Sequence, residues 1–384
     1  MCSIIWSKTN CVNGMSKRVP TLPMLLFRKG GGELSESEKF GLYLAHIGSV
    51  LMDFGNLKRA RVFFEKNLLI YSDTYGLNHS ETAKSLIVLG MLNSTEGNAN
   101  EAIDYYKHGL KITVASLGED YPDVASSYNN LGNAYRHKGN YDLAIDYYER
   151  ALKIRVTSLG EDHPDVASSY NNLGNAYNSK GEYNKAIDYY KRALKIQVAS
   201  LGEDHPDVAG SYNNLGLAYC SNGNYDLAIN YYERGLKMQV VSLGEDHPDV
   251  TGSYNNLGEA FHKQNNFVKA LEYHQLSNSI WLASLGDSHS ETGRSYDNLA
   301  LAYNALKKHF TAMEHCQQGL KIRLSALGKN HADTAQSYNT LGKIYSAQGD
   351  TVASLHNFKS CLAIRFVVLG KKHPDTIESV KELE

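Results

Sequence analysis

Residues 125–166 read ASSYNNLGNAYRHKGNYDLAIDYYERALKIRVTSLGEDHPDV, and residues 167–208 carry the same residue at 34 of these 42 positions. A Leu-Gly pair recurs with the same period elsewhere in the chain, at Leu89, Leu131, Leu173, Leu215, Leu257 and Leu341. Self-similarity at a fixed period is typical of proteins built from one repeated supersecondary unit. The sequence therefore predicts an array of repeats rather than separate globular domains.

The period divides the chain into eight predicted repeats with a segment at each end. The repeats cover residues 41–82, 83–124, 125–166, 167–208, 209–250, 251–292, 293–334 and 335–376. We predict a disordered leader over residues 1–40 and a capping half-helix, rich in charge, over residues 377–384. Residues 1–32 contain Lys and Arg but no Asp or Glu, a bias of organelle transit peptides, so a targeting segment is the alternative there.

Each repeat contains two helical patterns; position 1 is the first residue of a repeat, Ala125 in the third. Positions 4, 7, 8 and 11 have the spacing of one buried helix face and hold Tyr128, Leu131, Gly132 and Tyr135. A turn at residues 138–140 is followed by a second helical pattern that starts at Ala144. The two patterns predict a helix A and a helix B. Gly160 is expected to end helix B with a left-handed cap, and Pro164 to begin the next helix A.

Three positions keep small side chains in nearly every repeat. Position 8 is Gly or Ala, position 20 is Ala except for Ser354, and position 27 is small except for Asn67. Small residues let two helices approach closely while larger neighbours interdigitate. With the Leu-Gly pair and Tyr at position 11, this pattern resembles the tetratricopeptide repeat family over residues 41–376. The resemblance implies an all-α, right-handed superhelical solenoid of eight helical hairpins with a C-terminal capping helix.

A longer motif is similar to one type of tetratricopeptide repeat. Residues 158–166 read SLGEDHPDV and are followed by the Tyr-Asn-Asn-Leu-Gly motif, as in the repeats of kinesin light chains. This resemblance implies a cargo adaptor in microtubule-based transport, with acidic peptides as ligands and a kinesin heavy chain as partner. Residues 1–40 lack the sustained heptads through which kinesin light chains join the heavy chain. The adaptor role is therefore an alternative to a general scaffold.

Asn side chains recur along one face of helix A, at positions 5, 6 and 9, and in the tetratricopeptide family this face lines a concave groove. A carboxamide has a donor and an acceptor in one plane, as a peptide bond has, so a row of them can hold an extended chain. The predicted peptide-binding amides are Asn129, Asn130, Asn133, Asn171, Asn172, Asn175, Asn213, Asn214, Asn255, Asn256 and Asn298. The alternative is that these amides solvate the groove or bond to the preceding helix.

Three basic residues, Lys263, Arg294 and Lys343, fall on the same predicted face in the last three repeats. They are predicted to select acidic residues in a bound peptide. The alternative is a set of solvated surface charges. A further alternative for the whole chain is a structural scaffold that binds partners through its outer face.

No pattern for catalysis, a metal or a cofactor is present. A His occupies position 39 in every repeat but the second, and a fixed loop position indicates a role in the fold; these residues include His163, His205, His247, His289, His331 and His373. Five cysteines without a CxxC pair predict neither a disulfide framework nor a zinc site. With a net charge of −2 and no apolar run long enough to cross a bilayer, we predict a cytoplasmic, non-enzymatic protein whose partners are proteins, not nucleic acid or membrane.

Overall fold

The computed structural model describes residues 34–371 and 373–383, and these residues form seventeen α-helices, one short 3-10 helix at Pro248–Val250 and no strand. The prediction of an all-helical repeat fold is confirmed. Most of the predicted leader, residues 1–33, lies outside the described residues. The described residues up to Lys180 form one compact unit and those from Gly181 onward form a second.

The first unit consists of three helical hairpins followed by a single helix. Its helices are α1 (Glu36–Asp53), α2 (Leu57–Tyr75), α3 (Ser80–Thr95), α4 (Ala99–Leu117), α5 (Pro122–His137), α6 (Tyr141–Leu159) and α7 (Pro164–Lys180). Each helix packs on the next in chain order, and α3 and α5, like α5 and α7, are also in contact. Helices of type A therefore lie side by side in this unit.

The second unit begins with a helix B and continues with four hairpins and a terminal helix. Its helices are α8 (Tyr183–Leu201), α9 (Pro206–Ser221), α10 (Tyr225–Leu243), α11 (Thr251–Lys263), α12 (Phe267–Leu285), α13 (Ser290–Ala305), α14 (His309–Leu327), α15 (Ala332–Gln348), α16 (Thr351–Val368) and α17 (Pro374–Lys381). Successive helices are again in contact. Among the type A helices, α9 packs on α11 and α13 on α15, and a side-chain hydrogen bond joins α11 to α13.

The small residue at position 8 lies against the ring at position 24 of the same hairpin. A Cβ atom on Gly132 would come within 2.5 Å of Tyr148, and one on Gly216 within 2.5 Å of Tyr232. Helices A and B can therefore approach only because position 8 has no side chain. In repeat seven the pair becomes Ala300 and Cys316, both fully buried, so a larger position 8 is matched by a smaller position 24.

Repeat six has a histidine at position 24, His274, packed over Gly258. Burial lowers the pKa of His274 to about 4, so the ring is neutral at neutral pH. A neutral imidazole can fill the place of a phenol ring without a buried charge.

Glycines with positive φ end helix B in the repeats, as predicted, but not in the left-handed helical conformation. Gly160 has φ 87° and ψ 159°, a region open almost only to glycine, and its N–H donates to the carbonyl of Val156. The extended ψ carries the chain directly toward the next helix A, so a left-handed cap is not formed.

The first helix begins inside the predicted leader. Ser35 caps α1, since its hydroxyl accepts from the N–H of Glu38 at 3.3 Å while the Glu38 carboxylate accepts from the N–H of Ser35 at 2.6 Å. This reciprocal pair satisfies two free N–H groups and allows the helix to start at Glu36.

Candidate functional site

The predicted amides lie on consecutive type A helices in each unit. In the first unit α5 carries Asn129, Asn130 and Asn133, and α7 carries Asn171, Asn172 and Asn175. In the second unit α9 carries Asn213 and Asn214, α11 carries Asn255 and Asn256, and α13 carries Asn298. All eleven side chains are half-buried, so none is a fully solvated surface amide.

Neighbouring type A helices are joined by amide hydrogen bonds. The Asn172 Nδ2 atom donates to Asn129 Oδ1 at 2.6 Å, and Asn298 Nδ2 donates to Asn255 Oδ1 at 3.2 Å. In both cases an amide at position 6 bonds to the amide at position 5 of the preceding repeat. Each donor keeps its second N–H and its Oδ1 atom for another partner.

Amides at position 5 are used mainly within the fold. Asn213 Nδ2 donates to the Ser253 hydroxyl at 3.2 Å, and that hydroxyl donates to Gln239 Oε1 at 2.6 Å. At the same position in the last two repeats, Asp297 and Asn339 are only 2% and 3% exposed. Asn129, Asn213 and Asn255 therefore link helices, in line with the alternative in which these amides bond to a neighbouring helix. The Oδ1 atoms of Asn171 and Asn339 are buried without a partner.

Amides at position 6 make fewer hydrogen bonds within the protein. Asn130, Asn214 and Asn256 make no side-chain hydrogen bond to another of the residues that the structure describes. At position 9, Asn133 accepts a hydrogen bond of 2.6 Å from the Tyr148 hydroxyl, and Asn175 is half-buried on α7. The face therefore presents unused amides at position 6, beside amides that hold the helices together.

Each predicted basic residue already has a carboxylate partner. The pairs are Lys263 with Glu259 at 2.8 Å, Arg294 with Glu291, and Lys343 with Glu382 at 3.1 Å. Burial opposes the charge of Lys263, but the hydrogen bond and charge of Glu259 outweigh it and raise the pKa of Lys263. Exposed pairs of this kind are weak, so an acidic ligand could exchange with the internal carboxylate.

A buried ion pair that sequence reasoning missed lies beneath this face in repeat seven. Arg323 Nη1 donates to Asp297 Oδ2 at 2.6 Å and to the Ser337 hydroxyl at 3.1 Å, and Ser337 also donates to Asp297 Oδ2 at 2.6 Å. Burial raises the pKa of Asp297 to about 6, with Arg323 and Ser337 acting in the opposite direction. The sequence signal for this ion pair is an Asp in place of Asn at position 5, combined with an Arg at position 31 of the same repeat.

The repeated histidines act as helix caps. Their Nδ1 atoms accept the backbone N–H of the residue two positions later at 3.1–3.2 Å, in His163, His247, His289, His331 and His373. This geometry agrees with the predicted role in the fold. Among residues 34–371 and 373–383 no group of three or more His, Cys, Asp or Glu could hold a metal ion. No helix in the same ranges is long and apolar enough to span a membrane.

Comparison with known proteins finds repeats of one family along most of the chain. A family model described as tetratricopeptide repeat matches residues 41–113, 123–197, 165–239, 207–283, 249–309 and 291–365. No curated protein matches the sequence.

Several solved structures are similar to this one. A kinesin light chain from Podospora anserina with nearly identical TPR-like repeats is 25% identical, with 53% of this chain and 97% of that chain covered and a TM-score of 0.48. BtubC (BKLC) from P. vanneervenii is 23% identical, with 61% and 94% covered and a TM-score of 0.49. The quorum sensor NprR from B. thuringiensis, in its apo form, is 16% identical, with 86% and 88% covered and a TM-score of 0.65. NprR therefore shares the fold of this chain.

Proposed function

We propose that this chain, which belongs to the tetratricopeptide repeat family, is a non-enzymatic module that holds an extended segment of a partner protein on its position-6 amides. The observation that carries the proposal is the state of these amides. Asn130, Asn214 and Asn256 have no internal side-chain hydrogen bond, whereas Asn172 is held by Asn129 and still has free donor and acceptor capacity.

A half-buried amide without a partner favours a ligand that can pair with it. The polar atoms of Asn130, Asn214 and Asn256 reach solvent, and a peptide bond offers each amide both a donor and an acceptor in place of water. The bond from Asn172 to Asn129 also fixes the orientation of that amide before a ligand arrives, which reduces the entropy lost on binding.

The decisive experiment removes the position-6 amides and keeps the helices. We expect the variant Asn130→Ala, Asn172→Ala, Asn214→Ala and Asn256→Ala to stay helical and to bind fluorescein-labelled random peptides more weakly in anisotropy titrations. Each lost amide pair should cost about 0.5 to 1.5 kcal/mol. The matched control changes Lys111, Lys153, Lys195 and Lys237, on helix B of the same or adjacent repeats, to Ala.

Two results would contradict the proposal. Equal peptide affinity of the wild type and the amide variant would mean that the amides do not bind peptide. A loss confined to the lysine control would support the alternative of a scaffold that binds through its outer face.

A preference for acidic segments is a secondary part of the proposal. Because Glu259 and Glu291 form ion pairs with Lys263 and Arg294, an acidic peptide must displace these two glutamates. We expect Glu259→Gln with Glu291→Gln to strengthen the binding of acidic peptide pools, and the gain to shrink as salt rises. Equal gains for acidic and basic pools would show that these cations do not select the ligand.

A kinesin light chain-like cargo adaptor is the second candidate, favoured by the SLGEDHPDV motif at residues 158–166. Its test is whether a kinesin heavy chain co-purifies with the intact chain from cytoplasmic extract. A cytoplasmic location, and the absence of nucleic acid or membrane ligands, belong to both candidates; cell fractionation and binding to DNA, RNA and anionic vesicles test them.

A further inference from the structure

A cavity of about 340 Å³ opens between the first two repeats, within the first compact unit. Its walls come from α2, α3, α4 and the loop after α2, and they are mostly apolar. They include Leu68, Leu69, Leu77, Leu86 and Tyr105. Ligand pockets in proteins have this size and character.

The cavity corresponds to the place of a tyrosine ring in the later repeats. Position 4 is Tyr in repeats three to eight but Leu86 in repeat two. In repeat three, Tyr128 joins Leu110 and Val114, at positions 28 and 32 of the preceding repeat, in one apolar cluster. The cavity is lined at the same two positions by Leu68 and Ser72. Leucine in place of tyrosine, and serine in place of valine, leave the space open.

In repeat two, the tyrosine at position 23 also lacks the two aromatic neighbours that it has in repeat three. In repeat three, Tyr147 at position 23 lies between Tyr128 and Tyr135, with ring centroids 5.9 and 5.5 Å away. Its equivalent Tyr105 has Leu86 and Asn93 at those two positions. A ring that enters the cavity could therefore pack on Tyr105 as Tyr128 packs on Tyr147, which is a favourable aromatic pair.

The end of the cavity indicates which ring fits. In repeat five the Tyr212 hydroxyl donates to Glu203, at position 37 of the preceding repeat, at 3.2 Å. Position 37 of the first repeat is Leu77, which cannot accept a hydrogen bond. A phenol hydroxyl therefore finds no acceptor at this position, whereas the Leu77 side chain can pack against a phenyl ring, so a phenyl ring is preferred.

The rim of the cavity points to a protein rather than a small molecule. Leu69 and Leu77 are 60% and 66% exposed, and in repeats two to five their positions hold Lys and Glu. Exposed apolar side chains around a pocket offer contact area to residues on either side of an inserted ring. Glu65 is 54% exposed, and its ion pair with Arg61 is long at 3.9 Å because Arg61 is also bound by Glu96. A basic group of a ligand can therefore compete for the Glu65 carboxylate.

We propose that this cavity binds a phenylalanine side chain of a partner protein, presented by an apolar segment with a basic residue that faces Glu65. The site uses none of the amides on helix A. It is therefore a second binding site, independent of the proposed peptide groove.

Two kinds of probe separate the ring from the segment that carries it. Fluorine NMR of 4-fluorotoluene and 4-fluorophenol reports on the ring alone. Anisotropy titrations report on labelled pentapeptides with Phe, Tyr or Ala at the centre and Leu, Ala or Lys on either side. Burial of a phenyl ring should make the Phe pool bind about tenfold tighter than the Ala pool, and tighter than the Tyr pool.

Matched variants restore the residues of other repeats. Leu86→Tyr should fill the cavity, raise the melting temperature and abolish binding of 4-fluorotoluene; Ser72→Phe, the residue of repeat eight, fills it from the opposite wall if Leu86→Tyr does not fold. The double variant Leu69→Lys, Leu77→Glu should keep 4-fluorotoluene binding but weaken the binding of Phe peptides that carry Leu on either side of the ring.

Three outcomes would overturn the proposal. The first is binding of 4-fluorotoluene that persists after the cavity is filled. The second is a Phe pool no better than the Ala pool. The third is an affinity for Leu-flanked Phe peptides that does not change in the rim variant, which would indicate a site for the aromatic ring alone. The amides on helix A are unchanged in all these variants, so failure here leaves the peptide groove untouched.

Discussion

Residues at positions 8 and 24 of a repeat are matched in size. Gly132 has no space for a Cβ beside Tyr148, whereas Ala300 is accommodated because Cys316 takes the place of the ring. The contact is therefore a property of the pair, and neither residue can be exchanged alone without cost.

A double-variant cycle tests this matching. Gly132→Ala alone should destabilise the protein by roughly 1 to 3 kcal/mol through overpacking, and Tyr148→Cys alone by roughly 3 to 5 kcal/mol through the space it leaves. The double variant, which copies repeat seven, should cost less than the sum by about 1 kcal/mol, as seen in chemical denaturation. Strict additivity would argue that the two positions do not share a contact.

Asp297 and Arg323 are the charged version of a neutral arrangement in repeat five. There Asn213 and Gln239 stand at the same two positions and bond to Ser253, the equivalent of Ser337. Changing Arg323→Gln alone leaves a buried carboxylate without its cation and should cost about 3 to 5 kcal/mol. Adding Asp297→Asn recreates the neutral arrangement, so thermal unfolding should show most of that loss recovered. If the double variant were as unstable as the single one, the comparison with repeat five would fail.

Acidity should affect the charged and neutral arrangements differently. The pKa of Asp297 is raised by burial from 3.8 to about 6, so between these pH values the folded state binds more protons than the unfolded state. Stability from this group is then full below pH 4 and is lost as pH rises through 6. Thermal midpoints at pH 4.5 and 7 should therefore show the wild type losing stability relative to the Asp297→Asn, Arg323→Gln variant as pH rises. A relative gain would mean that the attraction of Arg323 outweighs the effect of burial on the pKa of Asp297.

Among the connecting elements, the turn between helices A and B requires positive φ at position 15. Glycine supplies it in most repeats, but Asn265 has φ 64° and Lys307 has φ 60°. Asparagine tolerates this conformation, whereas lysine is strained by its Cβ atom. The turn before α14 is therefore the least favourable of the set.

Lys307→Gly should relieve that strain. The gain from the backbone, reduced by the greater freedom of glycine in the unfolded chain, should be roughly 0.5 to 1 kcal/mol. Lys308→Gly, one residue later at the start of α14, is the matched control and should destabilise. Melting temperatures of the two variants decide the question, and equal shifts would show that φ at position 307 is not the cause.

For the molecule as a whole, repeats in each compact unit depend on their immediate neighbours. The Arg323→Gln variant should therefore accelerate amide hydrogen exchange in α13 to α16 and leave α1 to α6 unchanged. Mass spectrometry of peptic fragments gives the comparison. Uniform acceleration throughout the chain would indicate one global unfolding unit.

The sequence predicted the fold well because every repeat carries the same signals. The 42-residue period, the alternation of helix patterns and the glycines after each helix B all indicate hairpins. The row of Asn on helix A was predicted by the same spacing, with bonds to the preceding helix as one alternative, but the atoms that pair were not predicted. Asn172 and Asn129 are 43 residues apart, and which atoms meet depends on helix packing and rotamers. The sequence does not predict the cavity at Leu86, because a leucine on a buried face is compatible with any helical pattern.

The exchange of Gly and Tyr for Ala300 and Cys316 also bears on how an array of near-copies avoids misassembly. Repeats three and four share 34 of 42 positions, so a folding chain could join a helix A to the helix B of the wrong copy. Helix α13 packs less favourably on a helix B with tyrosine at position 24, because the Ala300 methyl group lies where glycine leaves room for the ring. Its own partner α14 carries Cys316 and fits. One methyl group thus disfavours the packing of α13 on the helix B of another repeat.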